Sequence, residues 1–196
     1  MPVTRFILIR HGQSEGNRDK RFPSHLAPLT ELGRSQAQAV AQWIEHRYQP
    51  HLVVVSPFTR TYQTGAIIAA HFGIEITAEP AIREQHMGIL IGQTWESVRN
   101  DPTWDRNRFW LWRPAGGENY EEVRIRAGRA LDRMAELQHG RDVVVVSHGG
   151  VISALCAHVG GTWEGVRVPR NGGIVIAEHA EGRYKPPIIP EQLSPV

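Results

Sequence analysis

The chain has 196 residues, and 41% of them are hydrophobic, which is enough apolar surface for one sizeable core. Its 22 Lys+Arg and 20 Asp+Glu residues leave a net charge of +2, which argues against a nucleic-acid-binding stripe or a membrane-binding face. No apolar run approaches the roughly 20 residues of a transmembrane helix, and the run before Arg10 is too short for a secretory signal. Cys156 is the single cysteine, which excludes an intrachain disulfide. We therefore expect a soluble, cytoplasmic protein.

Three apolar, β-branched runs predict buried strands at residues 6–9, 52–55 and 143–146. Their hydrophobicity is continuous rather than alternating, which is typical of strands covered on both faces in a parallel sheet. Weaker strands are predicted near residues 74–77 and 174–178.

Each of the three strong strands leads toward a segment with helical character. The first such segment covers residues 29–47, and its apolar positions share one face: Ala37, Val40, Ala41 and Ile44. Ser56 and Pro57 have the residue types of an N-cap and a first helical position, for a helix that runs to about Phe72. The third segment follows residues 147–150 and runs to about Val159.

A longer helix is predicted from Glu118 or Asn119 to Gln138. Its inward-facing positions are expected to be Val123, Ala127, Ala130, Met134 and Leu137. Strands that alternate with helices predict a layered α/β fold.

Two segments depart from this alternation. Residues 93–115 hold four of the six tryptophans (Trp95, Trp104, Trp110 and Trp112) and are interpreted as a small helical insertion over the sheet. One or two of these rings are also candidates for an apolar surface beside a bound substrate. We expect one domain over residues 1–185 and a proline-rich tail over residues 186–196.

Histidines and arginines follow the three strong strands. Arg10 and His11 follow the first, Arg60 lies four residues after Ser56 at the end of the second, and His148 follows the third. Ligands of open α/β sheets bind at the carboxyl ends of the strands, where helix N-termini add positive potential. These residues therefore predict a pocket for a dianion, most plausibly a phosphoryl group.

The residue types also indicate a reaction. A histidine attacks phosphorus only through a free lone pair, and neighbouring arginine charge lowers its pKa and favours the neutral form. Arginines and a second histidine offset charge in the transition state. A carboxylic acid must protonate the leaving oxygen and later activate water. Because cationic side chains supply the positive charge, we expect no metal and no cofactor.

The ordered motifs resemble those of the histidine phosphatase superfamily, in its phosphoglycerate mutase-like branch. Arg10-His11-Gly12 with Ser14 and Asn17 is similar to the first motif, Ser56-Pro57 with Arg60 to the second, and residues 147–150 to the third. The resemblance spans about residues 3–178 and implies a three-layer α/β/α sandwich with a mostly parallel mixed sheet. It also implies that His11 becomes phosphorylated, held by Arg10, Arg60 and His148, with secondary pocket residues Gln13, Asn17 and Gly149.

The acid of this family lies in a glutamate-containing segment between the second and third motifs. Residues 83–92 fit that segment, so the resemblance assigns the role to Glu84, with Glu79 as the rival.

The family contains both mutases and phosphatases. In cofactor-dependent mutases this segment carries a tyrosine and a lysine that contact the phosphoglycerate, and the matching positions here are Met87 and Trp95. The adjacent arginine pair of those mutases is interrupted here, since Asn107 separates Arg106 from Arg108. These departures favour hydrolysis of a small phosphorylated metabolite, with mutase-type phosphotransfer as the alternative. The sequence leaves a homodimer open.

Two other functions are weighed against this one. Residues 12–16 form a G-x-S-x-G pattern, which would make Ser14 the nucleophile of a serine esterase. Only 13 residues precede Ser14, so no earlier strand can supply an oxyanion loop, and the arginines would have no role. A non-catalytic phosphate-binding module is the other alternative, and the complete set of catalytic residue types argues against it.

Overall fold

The fold is built on a mixed sheet of six strands, seen in a computed structural model that describes residues 2–190. In chain order the strands are β1 (Thr4–Arg10), β2 (Pro50–Val55), β3 (Ile76–Ala78), β4 (Asp142–Ser147), β5 (Ile174–Ala180) and β6 (Arg183–Tyr184). Their order across the sheet is β3-β2-β4-β1-β5-β6. Strands β3, β2, β4 and β1 are parallel, and β5 and β6 are antiparallel to their neighbours. The predicted mostly parallel, mixed sheet is confirmed.

Helices cover both faces of this sheet. They are α1 (Glu15–Arg18), α2 (Glu31–Glu45), α3 (Thr59–Phe72), α4 (Glu96–Arg99), α5 (Tyr120–Leu137) and α6 (Gly149–Gly160). Helices α2 and α3 pack with Ile7, Ile9 and their neighbours on one face, while α5 and α6 pack with Phe6, Leu8 and their neighbours on the other. Successive residues of β1 thus point into two different cores, which is why this strand is apolar throughout. The predicted three-layer α/β/α sandwich is confirmed.

Local sequence signals account for several helix ends. The Thr30 hydroxyl accepts a hydrogen bond from the Gly33 amide at the start of α2, and Asn119 forms a capping box with Glu122 at the start of α5. Gly73 and Gly161 follow α3 and α6 with φ values of 64° and 71°, a left-handed conformation that glycine adopts at low cost.

Two helix expectations are wrong. Ser56 and Pro57 do not begin α3, because Phe58 is the N-cap and the Ser56 hydroxyl is bonded to His148 instead. Leu137 does not face inward, since its residue is 77% exposed at the last position of α5.

The tryptophan-rich segment at 93–115 contains α4 and a 3₁₀ helix, Arg106–Leu111. Trp112 is buried, and Trp110 stacks on Trp163 with the ring centroids 5.8 Å apart.

The beginning of the predicted tail lies against the sheet. Ile188 pairs with Ile176 of β5 through two backbone hydrogen bonds of 2.8 and 2.9 Å. Residues 191–196 of that tail lie outside the described residues. Among the helices of residues 2–190, none is long and apolar enough to cross a bilayer.

Candidate active site

Strand ends bring the motif residues together at one cavity of about 490 Å³: Arg10, His11 and Arg60 line it, and the fully buried His148 lies behind them with its ring centroid 5.3 Å from that of His11. Arg10 ends β1, His11 follows it, Arg60 lies in the first turn of α3 after β2, and His148 follows β4. Arg10 pairs with Ser147 across the parallel β1–β4 ladder, so the two chain segments leave the sheet at the same level.

Other predicted site residues divide into two groups. Asn17, Glu84 and Gly149 line the cavity together with Arg10, His11 and Arg60. Gln13 does not line it, because its side-chain carbonyl accepts a hydrogen bond of 2.9 Å from the Thr30 hydroxyl at the start of α2. The Gln13 side chain thus points toward the start of α2 rather than into the cavity.

His11 is held as a buried, neutral imidazole. Its residue is 3% exposed, and Nδ1 donates to the Gly12 carbonyl at 2.6 Å. The opposite ring nitrogen, Nε2, lies 3.3 Å from Nε of Arg60, which can only donate. Nε2 therefore carries the lone pair. Burial, followed by the charges of Arg60 and Arg10, holds the His11 pKa well below its usual 6.5.

The two arginines present cationic groups that the protein only partly satisfies. Arg60 donates from Nη1 to the Ser24 carbonyl at 3.1 Å, and burial lowers its pKa to about 10, so it stays charged at neutral pH. Arg10 donates from Nη1 to the Pro169 carbonyl at 2.8 Å, whereas its buried Nε has no hydrogen-bond partner. A buried donor without a partner costs stability, which is consistent with a ligand acceptor at this place.

His148 has one bonded and one unbonded ring nitrogen. Its ring is fully buried, and Nε2 is hydrogen-bonded to the Ser56 hydroxyl at 2.8 Å. Like Nε of Arg10, its buried Nδ1 has no hydrogen-bond partner. Burial, and then the charge of Arg60, holds the His148 pKa well below 6.5. A hydroxyl donating to Nε2 leaves the proton on Nδ1, where it can be donated to an anion.

Glu84, rather than Glu79, lies at the cavity. Its Oε2 is 3.8 Å from Nδ1 of His148, and burial raises the Glu84 pKa against the opposing charge of Arg60. Glu79 instead accepts a hydrogen bond from the Ala81 amide and lies 3.5 Å from Arg133. A carboxyl group with a raised pKa is suited to donate a proton near neutral pH.

The loop that carries Glu84 is held by two residues that the sequence analysis did not assign. Arg126 of α5 donates to the carbonyls of Ala81 and Glu84, at 2.6 and 3.2 Å, and pairs with Glu118 at 3.0 Å. Glu118 also accepts from the His86 amide at 3.0 Å. In the sequence, Glu118 stands directly before a predicted helix. Its contacts with His86 and Arg126 could not be read there, because these residues lie elsewhere in the chain.

The geometry of Ser14 contradicts the serine-esterase alternative. Ser14 is fully buried, caps α1 and donates from its hydroxyl to Oδ1 of Asn17 at 3.0 Å, so no general base lies beside it. Oδ1 of Asn17 also accepts from Asn171, which donates to the His11 carbonyl at 3.1 Å as well. Asn171 was missed because nothing in its local sequence indicates this contact.

The glycine pair of the third motif allows close packing at the cavity. A Cβ on Gly149 would lie 2.6 Å from Val168, and one on Gly150 would lie 2.4 Å from the hydroxyl of Tyr120. Tyr120, which the sequence analysis also missed, lines the cavity, and burial raises its pKa.

Within residues 2–190, no group of three or more histidine, cysteine, aspartate or glutamate side chains is arranged to hold a metal ion.

Comparison with known proteins is consistent with this site. A family model described as the histidine phosphatase superfamily, branch 1, matches residues 6–186. A probable phosphoglycerate mutase of Photorhabdus laumondii is 36% identical over 163 residues, which cover 77% of this chain and 75% of the relative. A metal-independent phosphoserine phosphatase of Arabidopsis thaliana is 32% identical over 160 residues, covering 78% of this chain and 67% of the relative.

A solved structure is similar over nearly the whole chain. It is that of mycobacterial glucosyl-3-phosphoglycerate phosphatase in complex with VO3, with a TM-score of 0.83 and 29% identity, covering 92% of this chain and 96% of that one. The resemblance drawn from the three ordered motifs is confirmed.

Proposed function

This chain belongs to the histidine phosphatase superfamily, branch 1, and we propose that it hydrolyses phosphomonoesters through a phosphohistidine formed on His11. The observation that carries the proposal is the state of His11: a buried, neutral imidazole whose Nε2 lone pair lies beside Arg60 in a cavity shared with Glu84. Metal independence follows from the same set, because Arg10 and Arg60 supply the positive charge.

In the first step, Nε2 of His11 attacks phosphorus. A P–N bond forms, the ester P–O bond breaks, and Glu84 transfers its proton to the departing alcohol oxygen. The guanidinium groups of Arg10 and Arg60 and the Nδ1–H of His148 donate to the phosphoryl oxygens and stabilise their charge.

In the second step, the ionised Glu84 takes a proton from a water molecule, and that water attacks phosphorus. The P–N bond breaks, inorganic phosphate leaves, and His11 regains its lone pair on Nε2. The buried Nε of Arg10 and Nδ1 of His148 find their acceptors in the phosphoryl group throughout.

The test is turnover of p-nitrophenyl phosphate in the presence of EDTA, by the wild type, His11→Ala and the exposed control His46→Ala. We expect full activity of the wild type and the control in EDTA, and loss of turnover in His11→Ala. Rapid quenching should recover an acid-labile phosphoenzyme from the wild type only. Full activity of His11→Ala would contradict the proposal.

A second candidate is mutase-type transfer, which the 36% identical probable phosphoglycerate mutase favours. Against it, Met87 and Trp95 line the cavity at the positions where mutases carry a tyrosine and a lysine. We expect no bisphosphoglycerate-dependent interconversion of 3- and 2-phosphoglycerate. Interconversion faster than hydrolysis would replace hydrolysis as the function.

We also propose a small phosphorylated metabolite as substrate and the cytoplasm as the location. A homodimer is a further hypothesis, and light scattering of the purified chain tests it. The 490 Å³ cavity is within the range of about 300–1,000 Å³ that accommodates small molecules.

A further inference from the structure

The cavity holds more than a phosphate site. Besides the charged residues around His11, apolar side chains line it, among them a group of five: Phe22, Pro23, Met87, Ile91 and Trp95. We call these five residues the apolar wall. None of them takes part in the phosphoryl transfer described above.

The apolar wall is held together by its own backbone bonds. The amide of Phe22 donates to the Gln93 carbonyl at 2.9 Å, and the amide of Gly92 donates back to the Phe22 carbonyl at 2.8 Å. The amide of Trp95 donates to the Lys20 carbonyl at 3.0 Å. These bonds join two chain segments that lie some 70 residues apart, so Phe22, Ile91 and Trp95 are positioned before any ligand arrives.

Part of the apolar wall faces solvent. Trp95 is 40% exposed and Ile91 is 47% exposed, although both line the cavity. Large apolar side chains grouped at a cavity and left in water mark a binding surface, because their burial by a ligand is favourable.

A second anionic group of a substrate would find no free arginine here. Among the described residues that line the cavity, Arg83 is the arginine left over from the phosphoryl site, and it is paired with Glu118 at 2.9 Å. The carboxyl group of Glu84 lies at the same cavity and would repel a second carboxylate whenever it is ionised. The apolar wall, together with the pairing of Arg83 to Glu118, favours an uncharged group over a second anion.

Resting on the proposed hydrolysis, we propose that the physiological substrate is a phosphomonoester of an uncharged, predominantly apolar alcohol, whose hydrocarbon part packs on Trp95, Ile91 and Met87. This assigns a substrate class that differs from the carboxylate-bearing compounds named for the similar phosphatases.

The test compares ethyl, butyl and hexyl phosphate with the phosphate ester of 6-hydroxyhexanoate. The three alkyl esters have leaving groups of nearly equal basicity, so differences in kcat/KM report contact with the hydrocarbon. We expect kcat/KM to rise with chain length, up to about fourfold for each methylene that becomes buried. The carboxylated hexyl ester should be at least about tenfold poorer than hexyl phosphate, which corresponds to 1.4 kcal/mol. Equal values for ethyl and hexyl phosphate would overturn the proposal.

Matched variants test the apolar wall. Trp95→Ala and Ile91→Ser should reduce the hexyl-to-ethyl ratio of kcat/KM. Trp104→Ala and Ile89→Ser are the controls, since Trp104 and the 67% exposed Ile89 do not line the cavity, and they should keep the wild-type ratio. An unchanged ratio in Trp95→Ala and Ile91→Ser would contradict the role of the wall.

Binding separates this proposal from the proposed hydrolysis. Calorimetry with ethyl- and hexylphosphonate, which cannot be hydrolysed, measures the apolar contact in wild-type protein without turnover. Tighter binding of hexylphosphonate with no hydrolysis of any ester would support the ligand class and refute the proposed function. Hydrolysis with equal affinity for both phosphonates would support the function and refute the ligand class.

Discussion

Burial shifts the pKa values of three side chains of this site toward their uncharged forms. His11 and His148 have lowered pKa values and Glu84 has a raised one, and in each case removal from solvent is the largest cause. The same desolvation therefore favours the neutral imidazole of His11 and the protonated carboxyl group of Glu84. The charge of Arg60 adds to the effect of burial at His11 and opposes it at Glu84.

The role of Glu84 leads to a prediction that depends on the leaving group. Glu84→Gln should lower kcat/KM by about 10²–10⁴-fold for an alkyl phosphate, whose alkoxide needs a proton, and much less for p-nitrophenyl phosphate. Since kcat/KM reports phosphorylation of His11, the second step does not obscure the comparison. Steady-state kinetics with both substrates measures it, and Glu79→Gln is the control. Equal losses for the two substrates would show that Glu84 does not protonate the leaving group.

At the scale of elements, α5 holds the loop that carries Glu84. Arg126 lies on this helix and donates to two carbonyls of the loop that precedes and carries Glu84, while Glu118 lies just before the helix. Helix α5 also packs on α6, which begins directly after His148. Movement of α5 would thus displace both Glu84 and the third motif.

Arg126→Met should therefore lower both stability and activity. Loss of the charged hydrogen bonds to the loop and to Glu118 is expected to lower the free energy of unfolding by about 2–3 kcal/mol. In the folded fraction, kcat for an alkyl phosphate should fall more than KM changes, since Glu84 is displaced while the phosphate ligands stay in place.

Arg124→Met provides the control on the same helix. Arg124 pairs with Glu121 one turn away and donates to no carbonyl of the Glu84 loop, and such a half-exposed pair within one helix contributes about 0–1 kcal/mol. Urea unfolding and steady-state kinetics of both variants measure the difference. Similar effects of the two substitutions would show that Arg126 does not position the loop.

For the whole molecule, the three-layer architecture explains why the site is buried at all. The parallel strands β2, β4 and β1 end at one edge, and the helices and loops that follow them enclose His11 and His148. Apolar cores lie on both faces of the sheet, so His11 is 3% exposed and His148 is fully buried. Folding therefore places two titratable rings where they resist protonation.

This burial predicts how stability depends on pH. Below about pH 6.5 the unfolded chain binds protons at His11 and His148 that the folded chain does not, so the free energy of unfolding falls as the pH is lowered. Each ring contributes on the order of 1 kcal/mol per pH unit within this window. Between pH 4.5 and its raised pKa, Glu84 binds a proton only in the folded chain. In that range it therefore raises the free energy of unfolding as the pH is lowered.

Glu84 therefore partly offsets the histidine effect at lower pH, and we expect the two histidines to dominate between about pH 5.5 and 7. Glu118 adds to the histidine effect below its usual 4.5, because Arg126 and its other partners hold its pKa lower in the folded state. Urea unfolding at pH 7.5 and 5.5 checks the sign. His11→Gln should reduce the difference between the two pH values, and exposed His46→Gln should not. Higher stability at pH 5.5 would contradict this account.

The sequence by itself determined the strong strands, the alternation with helices and the order of the three motifs. These features follow from local chemistry: continuous apolar runs, capping residues, and histidines or arginines placed directly after strands. Since parallel strands share one end, Arg10, His11, Arg60 and His148 could be assigned to a common edge before their distances were known. The two errors in the helices, at Ser56 and Leu137, arose where a contact across the fold replaced the local preference.

Only the tertiary structure decided which side chains point into the cavity. It distinguished Glu84 from Glu79, turned Gln13 toward Thr30, and added Tyr120 to the cavity lining. It also showed that Asn171 is bonded to Asn17 and to the His11 carbonyl behind the cavity. It also showed that, of the four tryptophans in residues 93–115, Trp95 lines the cavity. The physical reason is that loop direction and burial depend on contacts between residues far apart in the chain, such as Arg126 with Glu84, and no local pattern encodes those contacts.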